Sequence, residues 1–376
     1  MSADEFAVIR DLFAPHATTA GARALRDDAA VLEAQGKLVV TTDTIVEGVH
    51  FLATDPIETI AMKALRVNVS DIVAKGARAS AALLNLVWSD TRPSSEIATF
   101  AEAFGRDLKF FGMSLIGGDT TSTPGPLTIS VTLFGEPLGA RVPARADAQV
   151  GEDVWLIGGE IGSAWLGLQL RTGALDLARL RQGRDDMQAQ MDSRALSRQM
   201  PDYLQLPNED FDAEAAWLMT AYLAPFVRPE CASIVSKFAS ASMDVSDGLV
   251  ADAHKLADAS GVALKIEINA VPFSVAAERW AFTGGDVRKL ITGGDDYVVL
   301  FTAPSELRAA IESEEGSQAL RLARIGVVEA GHGVAVVDLR GQIVAISEAG
   351  YAHKLGRCSL PKRLHHANHC GGRSPA

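Results

Sequence analysis

Five short stretches of this chain place six aspartates where they could act as oxygen ligands. They are Asp28 in Arg26-Asp27-Asp28-Ala29-Ala30-Val31, Asp43 in Thr41-Thr42-Asp43-Thr44, Asp71 in Asn68-Val69-Ser70-Asp71, Asp119 in Gly117-Gly118-Asp119-Thr120-Thr121, and Asp244 with Asp247 in Met243-Asp244-Val245-Ser246-Asp247-Gly248. Each is expected where an ordered backbone run ends. Carboxylates that converge repel one another and lose hydration, so a fold that gathers them needs cations in between. Hard oxygen donors suit Mg²⁺, held as a bridge to phosphate oxygens. The chemistry indicated is metal-assisted handling of phosphate groups.

The surrounding sequence predicts the elements that carry these groups. Residues 5–14 read as a short helix, and residues 37–42 as a β-branched strand with Asp43 at its exit. Asp55-Pro56-Ile57-Glu58 reads as a capped helix start, with the helix running to about Lys75 and stopping at Gly76. Asn68 and Asp71, three apart, then share a face. Strands are expected at 82–88, 114–116, 126–135, 153–157, 242–245, 262–268, 296–302 and 323–328. Helices are expected from Ser94 or Ser95 to Phe111, over 163–170, and from Asp247 to Ser260. Strands and helices mix without a strict βαβ rhythm, which predicts an α+β protein with mixed sheets. A polar connection at 140–151 predicts two domains, 1–146 and 147–357. Residues 172–215 read as a charged surface insertion, and 358–376 as a disordered tail despite His365, His366, His369 and Cys370.

Composition narrows the class. The 376 residues are 48% hydrophobic and 22% charged, as in soluble globular proteins. A net charge of −12 argues against nucleic acid as a partner, whose backbone needs a basic surface. Metal ions can reverse the local field, so polyphosphate is still compatible. Three scattered cysteines, Cys231, Cys358 and Cys370, form no disulfide framework and fit a reducing cytoplasm. No apolar run is long enough to span a membrane, and the N-terminus reads as lacking a secretory signal. The Walker P-loop, the dinucleotide G-x-G-x-x-G and the protein-kinase signatures are all absent, so a phosphate-handling reading needs another nucleotide fold.

Taken in order, the motifs resemble the thiamine-monophosphate kinase family, within the superfamily of aminoimidazole ribonucleotide synthetase. The most specific is Thr41-Thr42-Asp43-Thr44-Ile45-Val46-Glu47-Gly48-Val49-His50-Phe51. Lys63-Ala64-Leu65-Arg66-Val67-Asn68-Val69-Ser70-Asp71-Ile72, the Gly117 and Met243 motifs, and Gly293-Gly294-Asp295-Asp296-Tyr297 support it. The resemblance spans about residues 5–351. It implies a two-domain fold of the aminoimidazole ribonucleotide synthetase type, and a homodimer whose N-terminal domains share a barrel. It implies ATP-dependent phosphorylation of thiamine phosphate to thiamine diphosphate, by direct in-line transfer with several Mg²⁺ ions. The acceptor is already an ionised phosphate, so no general base is expected. Carried over residue by residue, Asp28, Thr41, Thr42, Asp43, Asp71, Asp119, Asp244 and Asp247 would bind metal. Gly118, Asp119, Arg145 and Ser246 would bind ATP, and His50, Asp295 and Tyr351 the thiamine part.

Three features depart from the family pattern. Arg26 stands where glycine is usual, Asp295 replaces a glutamate one methylene longer, and the loop 120–126 is longer and lacks an arginine. Two other readings stay open. One is another ATP-using member of the superfamily, although selenophosphate synthesis needs an early reactive cysteine and none precedes Cys231. The other is a non-catalytic nucleotide-binding sensor.

Overall fold

The computed structural model describes residues 5–26, 29–32, 36–176, 213–314, 316 and 319–351. Asp28, the tail at 358–376 and most of the insertion at 172–215 lie outside the described residues. The chain opens with a helical turn, α1 (Glu5–Val8), followed by a π-helical turn (Ile9–Phe13). Two sheets follow. The first holds β1 (Val39–Val46), β2 (Ala77–Ser89), β3 (Ser114–Thr123) and β4 (Thr128–Pro137) in the order β1-β4-β2-β3. Of the neighbouring pairs in this sheet, β2 and β3 alone pair in parallel. The second holds β5 (Asp153–Ile157), β6 (Ala241–Asp244), β7 (Ala263–Glu267), β8 (Val299–Ala303), β9 (Ala323–Glu329) and β10 (Gly333–Val337), in the order β10-β7-β9-β5-β8-β6. Both sheets mix parallel and antiparallel neighbours, and the α+β expectation holds.

Helices α2 (Ile57–Ala74) and α3 (Glu96–Phe110) pack on the first sheet. The second half carries α4 (Ser163–Arg171), α5 (Ala213–Leu223), α6 (Cys231–Phe238), α7 (Leu249–Ser260), α8 (Val275–Phe282), α9 (Val287–Thr292) and α10 (Arg308–Glu312). Helix α2 is buried on nearly every side, as expected of a helix wedged between layers. Its neighbours include β1, β4, β6, β8, α3 and α6, so it touches both halves of the chain. One apolar cluster runs from Ile45, Leu65 and Phe104 to Trp155, Ile234 and Phe301, across both halves.

Several local expectations need correction. Asp43 and Asp119 do not end strands. Asp43 pairs with Val131 in mid-strand and Asp119 pairs with Asn85. Extended Thr, Ile and Val neighbours continue both ladders past the carboxylates, and ladder hydrogen bonds outweigh the local turn preference of Asp. Asp55 does not cap α2, which starts after Pro56 without a side-chain cap. Its carboxylate instead accepts from Leu52 N, from Arg171 at 2.8 Å and from the Tyr222 hydroxyl. Helix α7 begins at Leu249 rather than Asp247, because Ser246 and Asp247 give their N–H groups to the Asp252 carboxylate at 2.9 Å each.

Candidate active site

Alternation along β1 divides its side chains between two faces. Thr41 and Asp43 point toward α2, where the Thr41 hydroxyl donates to Asp71 Oδ2 at 2.6 Å. The Asn68 side chain accepts from the Asp43 backbone N–H at 2.8 Å, so Asn68 and Asp71 do share one face of α2. Thr42 and Thr44 point the other way. Thr42 donates to Val131 O and accepts from Thr132, and Thr44 bonds Ser130. Residues 63 and 70, seven apart, look from α2 toward the second half. The Ser70 hydroxyl donates to Tyr297 O, and the Lys63 ammonium reaches Asp295 at 3.0 Å.

In the second half, two loops are tied together. Asp295 N donates to Ser246 O and Tyr297 N to Val245 O, each at 2.8 Å. Gly294 sits at φ +79, and a Cβ there would lie 2.8 Å from Ser246 O. Glycine is therefore required for the loops to meet. Tyr351 joins by donating its N–H to Asp247 O at 2.9 Å. The loop carrying Asp244 and Asp247 thus stands beside the one carrying Asp295.

The result is a cleft of about 300 Å³ between the halves. Asp43, Asp71, Asp244, Asp247 and Asp295 line it, with His50, Arg145, Ser246 and Tyr351. Burial, then repulsion from Asp71 and Asp247, pushes the Asp43 carboxyl up to about 6. Burial and the charge of Asp71 raise Asp244, which is only 5% exposed, well above the usual carboxylate range. Behind them, burial and then the nearby Arg145 charge bring Lys75 down to about 8. His50 accepts from Val46 N through Nδ1 at 3.0 Å, which assigns the proton of the neutral ring to Nε2. Asp247 is ion-paired to Lys255, whose ammonium also meets Asp252 at 2.6 Å.

Three of the nominated residues are elsewhere, Thr42 among them on the far face of β1. Gly118 and Asp119 line a second cavity of about 480 Å³ with Asn85, Phe13, Ala29 and Ala30. Ala29 and Ala30 are the residues that follow Asp28. Register puts Thr44, Ser130, Asn85 and Asp119 in one row across the first sheet, on the face away from α2. At the usual strand spacing Asp119 is about 14 Å from Thr44 and on the opposite face from Asp43. Among the described residues, no three acidic or imidazole groups stand close enough to hold one ion between them.

Sequence reasoning missed Lys63, Lys75, Asp252, Lys255 and Tyr297. Helical spacing of Lys63 with Ser70 was the available signal for Lys63. Asp252 and Lys255 stand three apart on α7, a helical spacing that marks their own pair, but no such pattern marks their hold on Ser246 and Asp247.

The AIR synthase related protein N-terminal domain matches residues 26–136, and the corresponding C-terminal domain matches 223–338. The thiamine-monophosphate kinase of Caulobacter vibrioides is 30% identical over 335 residues, covering 88% of this chain and 84% of its own length. This chain belongs to the thiamine-monophosphate kinase family. Solved structures agree with that family's fold. AaThiL complexed with AMPPCP and TMP matches with TM-score 0.67 and 30% identity, over 87% of this chain and 91% of that one. The thiamine-monophosphate kinase of Stenotrophomonas maltophilia K279a matches with TM-score 0.66 and 32% identity, over 85% and 90%. The expected two-domain architecture is that of this kinase family.

Proposed function

We propose that this chain phosphorylates thiamine phosphate with ATP, giving thiamine diphosphate and ADP. The observation that carries the reading is the cleft between the halves, where Asp43 and Asp71 face Asp244, Asp247 and Asp295. Its relatives support it: AaThiL was solved with AMPPCP, an ATP analogue, and TMP. A bond forms between a phosphate oxygen of thiamine phosphate and the γ-phosphorus of ATP, while the bond from that phosphorus to the β,γ-bridging oxygen breaks. The nucleophile arrives ionised, so no residue need take a proton.

Mg²⁺ fits the donors present. Asp43 and Asp244 are crowded carboxylates held above their ordinary values by burial and by repulsion from neighbouring carboxylates, Asp71 foremost, a state that a divalent cation relieves. A Mg²⁺ site needs only one or two carboxylates when phosphates complete it, which suits carboxylates that line a cleft without closing on one point. The family set assigns it to Asp28, Asp43, Asp71, Asp119, Asp244 and Asp247, with oxygens of Thr41 and Thr42. When bound, the metal neutralises the phosphates and the charge that develops in transfer.

The chain's own groups orient the reactants. Arg145 and the Ser246 hydroxyl take nucleotide phosphate. His50 offers an Nε2–H, Asp295 a carboxylate and Tyr351 an exposed aromatic face to the thiamine part. Asp71 holds Thr41, and Asn68 holds the backbone at Asp43, so the first ligands are set before substrate arrives.

We also propose a homodimer formed through the first sheet. β1 and β3 are its outer strands, and its far face carries hydroxyls. A second copy set against these edges would close a barrel, the arrangement in which Gly118 and Asp119 serve a nucleotide. Residues 1–146 and 147–357 are taken as the two domains, working in the cytoplasm. The test of the activity is a coupled assay with ATP, Mg²⁺ and thiamine phosphate, run beside free thiamine and aminoimidazole precursors. Turnover confined to thiamine phosphate is expected. ATP binding without turnover in any arm leaves a sensor.

A further inference from the structure

Lys63 stands out as a charge without an evident task. It is 1% exposed, among the largest fully buried side chains, and does not line the cleft. An ammonium loses its hydration at such a place, where leucine or methionine would fill the same space without that cost. Among the described residues its ion-pair partner is a carboxylate. Lys63 Nζ lies 3.0 Å from Asp295 Oδ2, across the junction between the halves. The Tyr222 ring lies under the same ammonium at 4.2 Å, and its hydroxyl is held by Asp55.

Asp295 needs such a hold. It is a non-glycine residue at φ +65, in the left-handed region, with Tyr297 at φ +51 close behind. That backbone is strained unless neighbours over-determine it. Both oxygens of Asp295 are braced: Oδ2 by Lys63 and Oδ1 by the Tyr297 hydroxyl at 3.1 Å. The shorter side chain cannot reach outward to search for a partner, so these braces set where its charge stands in the cleft. We propose that Lys63 is a positioning residue for the acceptor side of the cleft, aiming the Asp295 carboxylate at the cationic part of thiamine phosphate. This rests on the kinase reading above.

The test compares wild type, Lys63→Met, Asp295→Asn and the double variant, with KM for each substrate, kcat and the thermal midpoint. Lys63→Met is expected to raise the KM for thiamine phosphate ~10-fold, with the ATP KM within ~2-fold, as loss of one oriented charged contact. In the double variant the effects should not multiply, because Lys63 acts through Asp295. Lys63→Gln, which keeps a donor at similar length, serves if Lys63→Met does not fold. An unchanged or lowered thiamine phosphate KM, equal shifts in both KM values, or multiplicative effects overturn the proposal. So does a lower midpoint with neither KM altered. Absence of turnover in the wild-type chain overturns the kinase reading itself.

Discussion

Asp43 carries the sharpest residue-scale consequence. Its ordinary carboxyl value is 3.8 and its folded value about 6, so the metal-free fold holds the proton more tightly than the unfolded chain does. Stability from that preference is complete below 3.8 and is lost as pH rises through about 6. Asp244 is shifted in the same direction. The metal-free protein should therefore melt at lower temperature as pH climbs from about 4 to about 6, and Asp43→Asn should flatten that profile. Parallel melting profiles for the two proteins would refute it. The same variant should lose at least ~100-fold in turnover at saturating Mg²⁺, the scale seen when one preorganised charge-stabilising group is removed. Near-normal turnover would show that Asp43 does not hold metal. His50→Ala should raise the KM for thiamine phosphate by ~10-fold, the worth of one hydrogen bond, with a smaller effect on ATP. Equal effects on both substrates would remove His50 from the acceptor side.

At the scale of elements, the sequence marked the right segments but misjudged where several end. Helix α2 follows from its apolar run, the proline at its start and Gly76 at its end, and its Asn68 and Asp71 are spaced to face β1. By contrast, Gly117-Gly118-Asp119 resembles a turn, yet it lies inside β3. Gly118 sits at φ +151, and a Cβ there would lie 1.8 Å from Leu84 O on β2. Its glycine character thus answers to strand pairing, whatever it does for a nucleotide. Gly118→Ala should cost ~2 kcal/mol or more in a chemical melt, from strain and the broken approach of two strands. A midpoint within error of wild type would show that the strands can part freely here. Strand β10 and helices α5, α6, α8, α9 and α10 went unread: most are brief, and α5 is apolar on most sides, so it carries no amphipathic stripe.

At the scale of the whole molecule, α2 holds the two halves together. Arg66 meets Asp107 of α3 with two hydrogen bonds, at 2.6 and 3.0 Å, and its guanidinium also donates to the carbonyls of Ala224 and Pro225. Both charged groups are buried, 3% and 1% exposed. Asp107→Ala should destabilise the fold by ~3–5 kcal/mol, because it strands a buried guanidinium. A denaturant midpoint unchanged by the substitution would show that the pair is not needed at the junction. The residue types able to hold metal and phosphate, their order, and the periodic runs between them were all legible in the linear chain, because local chemistry and spacing do not depend on distant neighbours. Which aspartates meet in one cleft, why Asp119 stands apart from Asp43, and how Lys63 comes to face Asp295 were settled only by packing. Strand register and helix rotation fix those relations, and both arise from contacts between segments tens to hundreds of residues apart.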